Sequence, residues 1–280
     1  MGYFERALLA AVIIGAGAGF VGALVVLRKR TFFAQALTHA TYPGAVAAAA
    51  LGLSVPLGAA VAAVVIVAIM LGIARIRRQG AQVAAGIVLT GGFAAGALLQ
   101  ASIPGLPVSP ESLLVGSILT VTDADIALAA AVALAAVVVV VAFGPRIVFS
   151  TADPAGFRAA GFREWPVELL VLALIAASVV SSLPAVGAIL AIALIAAPAA
   201  AAKLVVRSYR GVLFAAPVIG AASGILGVLA SRAFAVAAGP SIALAATGCF
   251  AIALGVSQLR RVPWRARRIP VETAEEARIA

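Results

Sequence analysis

The sequence predicts an all-α fold, a polytopic bundle of membrane-spanning helices. Composition is the first reason. Of 280 residues, 64% are hydrophobic and 11% charged, too little charge to cover a soluble domain of that size. The second reason is run length. A span needs about 20 apolar residues, and the chain offers run after run of that kind. The third is where the charge falls. Lys and Arg collect at the ends of the apolar runs, as the positive-inside rule requires. Such runs become helices, because an open sheet would leave its backbone unpaired in lipid.

Read in order, the runs give about nine spans, with the N-terminus outside and the C-terminus inside. The first, Ala7 to Leu27, is followed by no clean small-residue cleavage site and reads as a retained span. Its glycines at 15, 17, 19 and 22 permit close helix contact. Arg28, Lys29 and Arg30 then mark the cytoplasm. The second span, Phe33 to Leu53, carries the only histidine, His39, and Pro43. A short outer turn leads to the third, Leu57 to Ile76, closed inside by Arg75, Arg77 and Arg78. The fourth is Ala81 to Ala101. Ser102 to Ser112 is an outer loop with three prolines, and Leu113 to Val121 is apolar but too short to span, hence re-entrant or interfacial.

The fifth span is Ala124 to Phe143 and the sixth Val167 to Ser182. Pro184 breaks the run before the seventh, Ala185 to Val206, which Lys203, Arg207 and Arg210 close inside. Val212 to Ser231 and Pro240 to Ser257 are the last two. Residues 1–259 thus form one transmembrane domain, and 260–280 a cytoplasmic tail whose RRVPWRARR run suits anionic lipid. The net charge of +10 belongs to this pattern, and no nucleic-acid partner is expected. The single cysteine, Cys249, lies in an apolar run and reads as a small buried hydrophobe.

Between the fifth and sixth spans lies the longest polar interruption before the tail, Arg146 to Pro166. Pro154 suits the first turn of a helix, where its missing N–H is no loss. Asp153 caps that helix and favours its positive end. Gly161 ends it. The result is a short helix, about residues 153–162, where a tight turn would have sufficed, a shape suited to being held by another protein.

Enzyme motifs are absent: there is no GxxxxGK[ST] loop, no HExxH and no CxxC. No catalytic activity is expected, and any energy source sits on another chain. The sharpest residue is His39, because ionisable groups within a span are rare and face a polar path or the bundle interior. Gln35 lies four residues earlier, on the same helix face. A neutral imidazole is also a common ligand for Zn, Mn or Fe. The competing reading is a histidine that hydrogen-bonds a neighbouring helix. Asp123 and Asp125 read as solvated caps, or as an acidic mouth that draws in cations.

The stretch VVLRKRTFFAQALTHATYPGAVAAAALG resembles the second-helix signature of permeases from manganese, zinc and iron ABC importers. GIVLTGGFAAGALL, LLVGSILTVTDADI, DPAGFRAAGF and LPAVGAILAIALIAAPAAAAKL resemble later stretches of that family, in order. The resemblance implies a homodimeric permease of the cobalamin-importer-like type in the inner (plasma) membrane. It implies two cytoplasmic ATP-binding subunits and an extracytoplasmic metal-binding lipoprotein as partners. The cargo it implies is a divalent Zn, Mn or Fe ion, with His39 and Gln35 on the path. It also implies that Pro154–Gly161 is the coupling helix, with Asp153, Pro154, Arg158, Ala159 and Gly161 meeting the ATPase. The family usually carries an acid four residues before the histidine, where this chain has Gln35, and an acid–Thr pair where it has Ala81-Gln82-Val83. Two other expectations compete: the same architecture passing a metal chelate or other small ligand, and an ion-coupled secondary carrier, which would need carboxylates within its spans.

Overall fold

The computed structural model describes residues 2–74, 81–103 and 115–259. Arg75, Arg77, Arg78, Leu113, Leu114 and the 260–280 tail lie outside the described residues. In order come α1 (Tyr3–Leu27), α2 (Thr31–Ala40), α3 (Tyr42–Ala50), α4 (Val55–Ala74) and α5 (Ala81–Ser102). A 3-10 turn (Ile118–Thr120) precedes α6 (Asp123–Ala152), α7 (Pro154–Ala159), α8 (Glu164–Val205), α9 (Tyr209–Phe234) and α10 (Ala238–Leu259). There is no strand among the described residues. Seven helical stretches are long and apolar enough to cross a bilayer: α1, α4, α5, α6, the Glu164–Ala188 part of α8, α9 and α10.

α1 is the spine, packed along α8, α9 and α6. Its contact with α9 is backbone against backbone. A Cβ built on Gly15 would lie 2.9 Å from the Gly220 carbonyl carbon, and one on Gly220 would lie 3.0 Å from that of Gly15. Small residues suit a membrane interior, where packing rather than escape from water holds helices together. The bundle is clasped at both ends. At one end Arg6 meets Asp123 at 3.1 Å, and the Arg232 guanidinium sits 4.4 Å over the Phe4 ring. At the other end Arg28 and Arg30 both reach Glu168, at 3.1 and 2.6 Å.

Three elements differ from the sequence reading. The second span is two helices meeting at Thr41, since Pro43 has no N–H for the regular bond to the His39 carbonyl. α6 runs on through Pro145 to Ala152, so Arg146 lies within a helix rather than in a loop. The break in α8 falls at Gly187 and not at Pro184. Gly187 has φ 77°, ψ 167°, a conformation that essentially only glycine adopts. Ser178 and Ser182 share a small cavity with Ile13 and Gly17 of α1, whereas Ile195 and Ala199 pack on Gly22, nearer the end that holds Arg28 and Glu168. A straight helix would carry Ile195 about 20 Å further from the Glu168 end than Ser182. The chain therefore turns back at Gly187, and Ala191–Val205 returns toward the end of the bundle that holds Glu168.

The segment before α6 is what fills the turn. A Cβ on Gly116 would lie 2.5 Å from the Val186 carbonyl carbon, and the Ser117 N–H donates to the Pro184 carbonyl at 3.2 Å. Ile118 and Val121 are buried. The described part of the short apolar segment is thus packed into the bundle.

Candidate translocation path and coupling helix

His39 sits on α2, eight residues and about 12 Å along the helix from Thr31. Its side chain is half-buried, as is that of Gln35 one turn earlier. Thr38 and Thr41 are fully buried, but their hydroxyls donate to carbonyls of their own helix, Gln35 at 2.8 Å and Thr38 at 3.2 Å. Those donors are spent on the backbone. The His39 ring meets Phe93 of α5 edge-on, with centroids 6.0 Å apart. Phe93 stacks on Tyr42 at 5.6 Å, and the Tyr42 hydroxyl donates to Gln100 Oε1. α5 comes this close because Gly92 has no side chain, and a Cβ there would lie 2.7 Å from the Ala40 Cα.

The fold thus gathers His39, Gln35, Tyr42, Phe93 and Gln100, an imidazole and neutral oxygens beside an aromatic wall. It does not bring Asp123 and Asp125 to them. Asp123 is held by Arg6. Asp125 forms a capping box with Thr122, accepting from the Thr122 N–H at 2.9 Å and donating its own N–H to the Thr122 hydroxyl at 3.2 Å. Among the described residues no three His, Cys, Asp or Glu side chains cluster as metal ligands. An ion at His39 in one copy of this chain would meet one nitrogen donor and oxygens of amide, hydroxyl or water.

The polar stretch folds as its residues dictate. Asp153 Oδ1 accepts from the Gly156 N–H at 2.9 Å and starts α7. Gly161 takes φ +82° and ends it, while the Phe162 N–H returns to the Phe157 carbonyl at 3.2 Å. Arg158 pairs with Glu164 at 2.9 Å across the exit. Asp153, Pro154, Arg158, Ala159 and Gly161 are all exposed. Phe157 is the anchor that sequence reasoning missed. It is 1% exposed, with Phe149 at 5.4 Å and Phe162 at 5.1 Å. A lone aromatic between Gly156 and Arg158 was the available signal. The double ion pair on Glu168 was also missed, because its partners lie about 140 positions apart in the chain.

Long apolar helices clasped at both faces, a polar face within the bundle and an exposed capped helix at one end fit a multi-pass transport subunit of the inner membrane. Comparison with known proteins agrees. Residues 1–257 match the ABC 3 transport family, and the chain belongs to it. It is 30% identical to the manganese transport system membrane protein MntC of Halalkalibacterium halodurans over 270 residues, 95% of this chain and 92% of that one. It is 31% identical to the zinc transport system membrane protein TroC of Treponema pallidum, over 95% of this chain and 93% of that one. Among solved structures, PsaBC from Streptococcus pneumoniae in complex with Fab superposes with a TM-score of 0.80 at 29% identity, covering 90% of this chain and 91% of that one.

Proposed function

We infer that the chain is the membrane half of an importer that moves a divalent transition metal, Mn, Zn or Fe, into the cytoplasm. The observation that carries this is His39, the only histidine of the chain, half-buried within a helix of a family whose relatives are named for manganese and zinc transport. Two copies related by a two-fold axis would present this patch twice. Two imidazoles with Gln35 oxygens or water would then make a loose transit site for the ion. The α2–α3 pair and Ala191–Val205 complete the crossing. Added to the seven long helices they make nine segments, 7 + 2, the odd number that keeps the N-terminus outside and the C-terminus inside. We assign the permease to the cobalamin-importer-like type on this arrangement. ATP-binding subunits dock on α7 at Asp153, Pro154, Arg158, Ala159 and Gly161, and a metal-binding lipoprotein delivers the ion outside. Against a secondary carrier, every carboxylate among the described residues lies in the first two turns of a helix or caps one.

The test is uptake of Mn and Zn, by elemental analysis, in cells carrying the neighbouring ATPase and binding protein. His39→Ala should lower uptake at least about tenfold while the complex still co-purifies, and Gln35→Asp should keep or raise it. If His39 only packs, His39→Gln, which can still hydrogen-bond, restores transport. Full uptake by a stable His39→Ala protein removes His39 from the path.

A further inference from the structure

Beside the coupling helix, at the cytoplasmic end, lies an open cleft of about 740 Å³. Arg28, Lys29 and Arg30 line it together with Pro154, Trp165 and the apolar Leu71 and Leu169. Its charge does not balance. Glu168 alone serves both Arg28 and Arg30, and Glu164 is already paired with Arg158, outside the cleft. One positive charge is left over from the Arg28–Arg30–Glu168 set, and exposed Lys29 adds a second. Lys29 is held at φ 56°, where the chain turns sharply between α1 and α2.

The same Leu71 and Leu169 are the mouth of a second cavity, a groove of about 460 Å³ between α4, α6 and α8. The groove is apolar throughout, its far end marked by Ala60, Leu128 and Val180. From Leu169 to Val180, and from Leu71 to Ala60, is eleven residues, or about 16 Å of helix. Half the hydrocarbon core of a bilayer is about 15 Å. A basic corner therefore adjoins, through Leu71 and Leu169, an apolar slot at least as long as one leaflet is thick.

We propose that this continuous surface binds one anionic phospholipid of the cytoplasmic leaflet, its phosphate on the Arg28–Lys29–Arg30 corner and an acyl chain in the groove between α4, α6 and α8. Basic pockets between spans at the cytoplasmic face hold anionic headgroups for the same electrostatic reason. A free phosphate would use the corner but leave the groove unexplained. The lipid would sit against Pro154, at the start of α7, and so next to the surface that meets the ATPase.

The experiment is native mass spectrometry of the full-length permease, purified in mild detergent and offered phosphatidylglycerol or phosphatidylcholine of identical chains. Phosphatidylglycerol should be retained at least about fivefold better. Lys29→Asn removes a charge while keeping a residue that tolerates positive φ, and should lower that preference about fivefold. Ala173→Trp, on an exposed wall of the groove, should abolish retention of both lipids. A phosphatidylglycerol carrying a photoreactive acyl chain should label residues 60–71 of α4 and 169–180 of α8 in the unaltered protein, which decides the matter even if a variant fails to fold. Equal retention of the two lipids, retention unchanged in either variant, or label elsewhere overturns the proposal. So does an Ala173→Cys disulfide between two copies in membranes, since the groove would then hold a second copy's helix.

Discussion

Glu168 shows how one residue can tie three helices and a turn. Its carboxylate takes Arg28 and Arg30, and Arg28 also donates to the Ser150 hydroxyl at 3.2 Å, so α1, the turn to α2, α6 and α8 meet there. The Arg28 and Glu168 side chains are only 11% and 18% exposed, so salt screens this set little. Glu168→Gln keeps the shape and removes the charge, leaving two guanidinium groups uncompensated. It should cost about 2 kcal/mol, read as a lower melting temperature in detergent that added salt does not restore. An exposed pair such as Arg158–Glu164 should show no comparable loss. His39 stands at the same scale: its intramembrane position was legible in the sequence, but its Phe93 neighbour was not, because α5 reaches it only through a close approach at Gly92.

At the scale of elements, α7 was legible almost residue by residue. Its signals are local: an aspartate cap, a first-turn proline and a terminal glycine, each acting within three or four positions. Gly161→Leu places a bulky side chain at φ +82° and should cost about 1–2 kcal/mol. We expect that protein to insert normally but to lose co-purification with the ATPase. Phe157→Ala empties the cluster that seats α7 and should cost about 3 kcal/mol, seen as new proteolytic cleavage between residues 153 and 163. The break in α8 was misplaced for an equally physical reason. Pro184 is the louder local signal, yet its missing N–H costs the helix only one regular bond, whereas the break at Gly187 frees the Pro184 carbonyl, which accepts instead from the Ser117 N–H. Gly187 reverses the chain because the Gly116 segment packs there, which no local pattern encodes. Gly187→Ala should cost about 1–3 kcal/mol, measured as a fall in melting temperature.

For the whole molecule, composition and charge position carried the class of fold, because lipid permits so few solutions. Two clasps orient it. Glu168 with its arginines marks one face, and Arg6–Asp123 with Arg232 over Phe4 marks the other. Cysteines placed at exposed Ser54 and Ala237 should react with an impermeant reagent from outside, and one at exposed Ala160 only from inside. Reversed labelling would invert the importer and sink the topology.

The glycine seam between α1 and α9 has a thermodynamic corollary. A soluble chain of 280 residues would unfold with a heat-capacity increase of roughly 3–4 kcal/mol/K, most of it from apolar surface meeting water. When Gly15 and Gly220 part within lipid or detergent, they meet hydrocarbon instead. The calorimetric signal of separating these helices should therefore show little heat-capacity change, and the stability curve should be nearly linear in temperature. Cooling should tighten this seam steadily, without the low-temperature turnover that water-driven cores display.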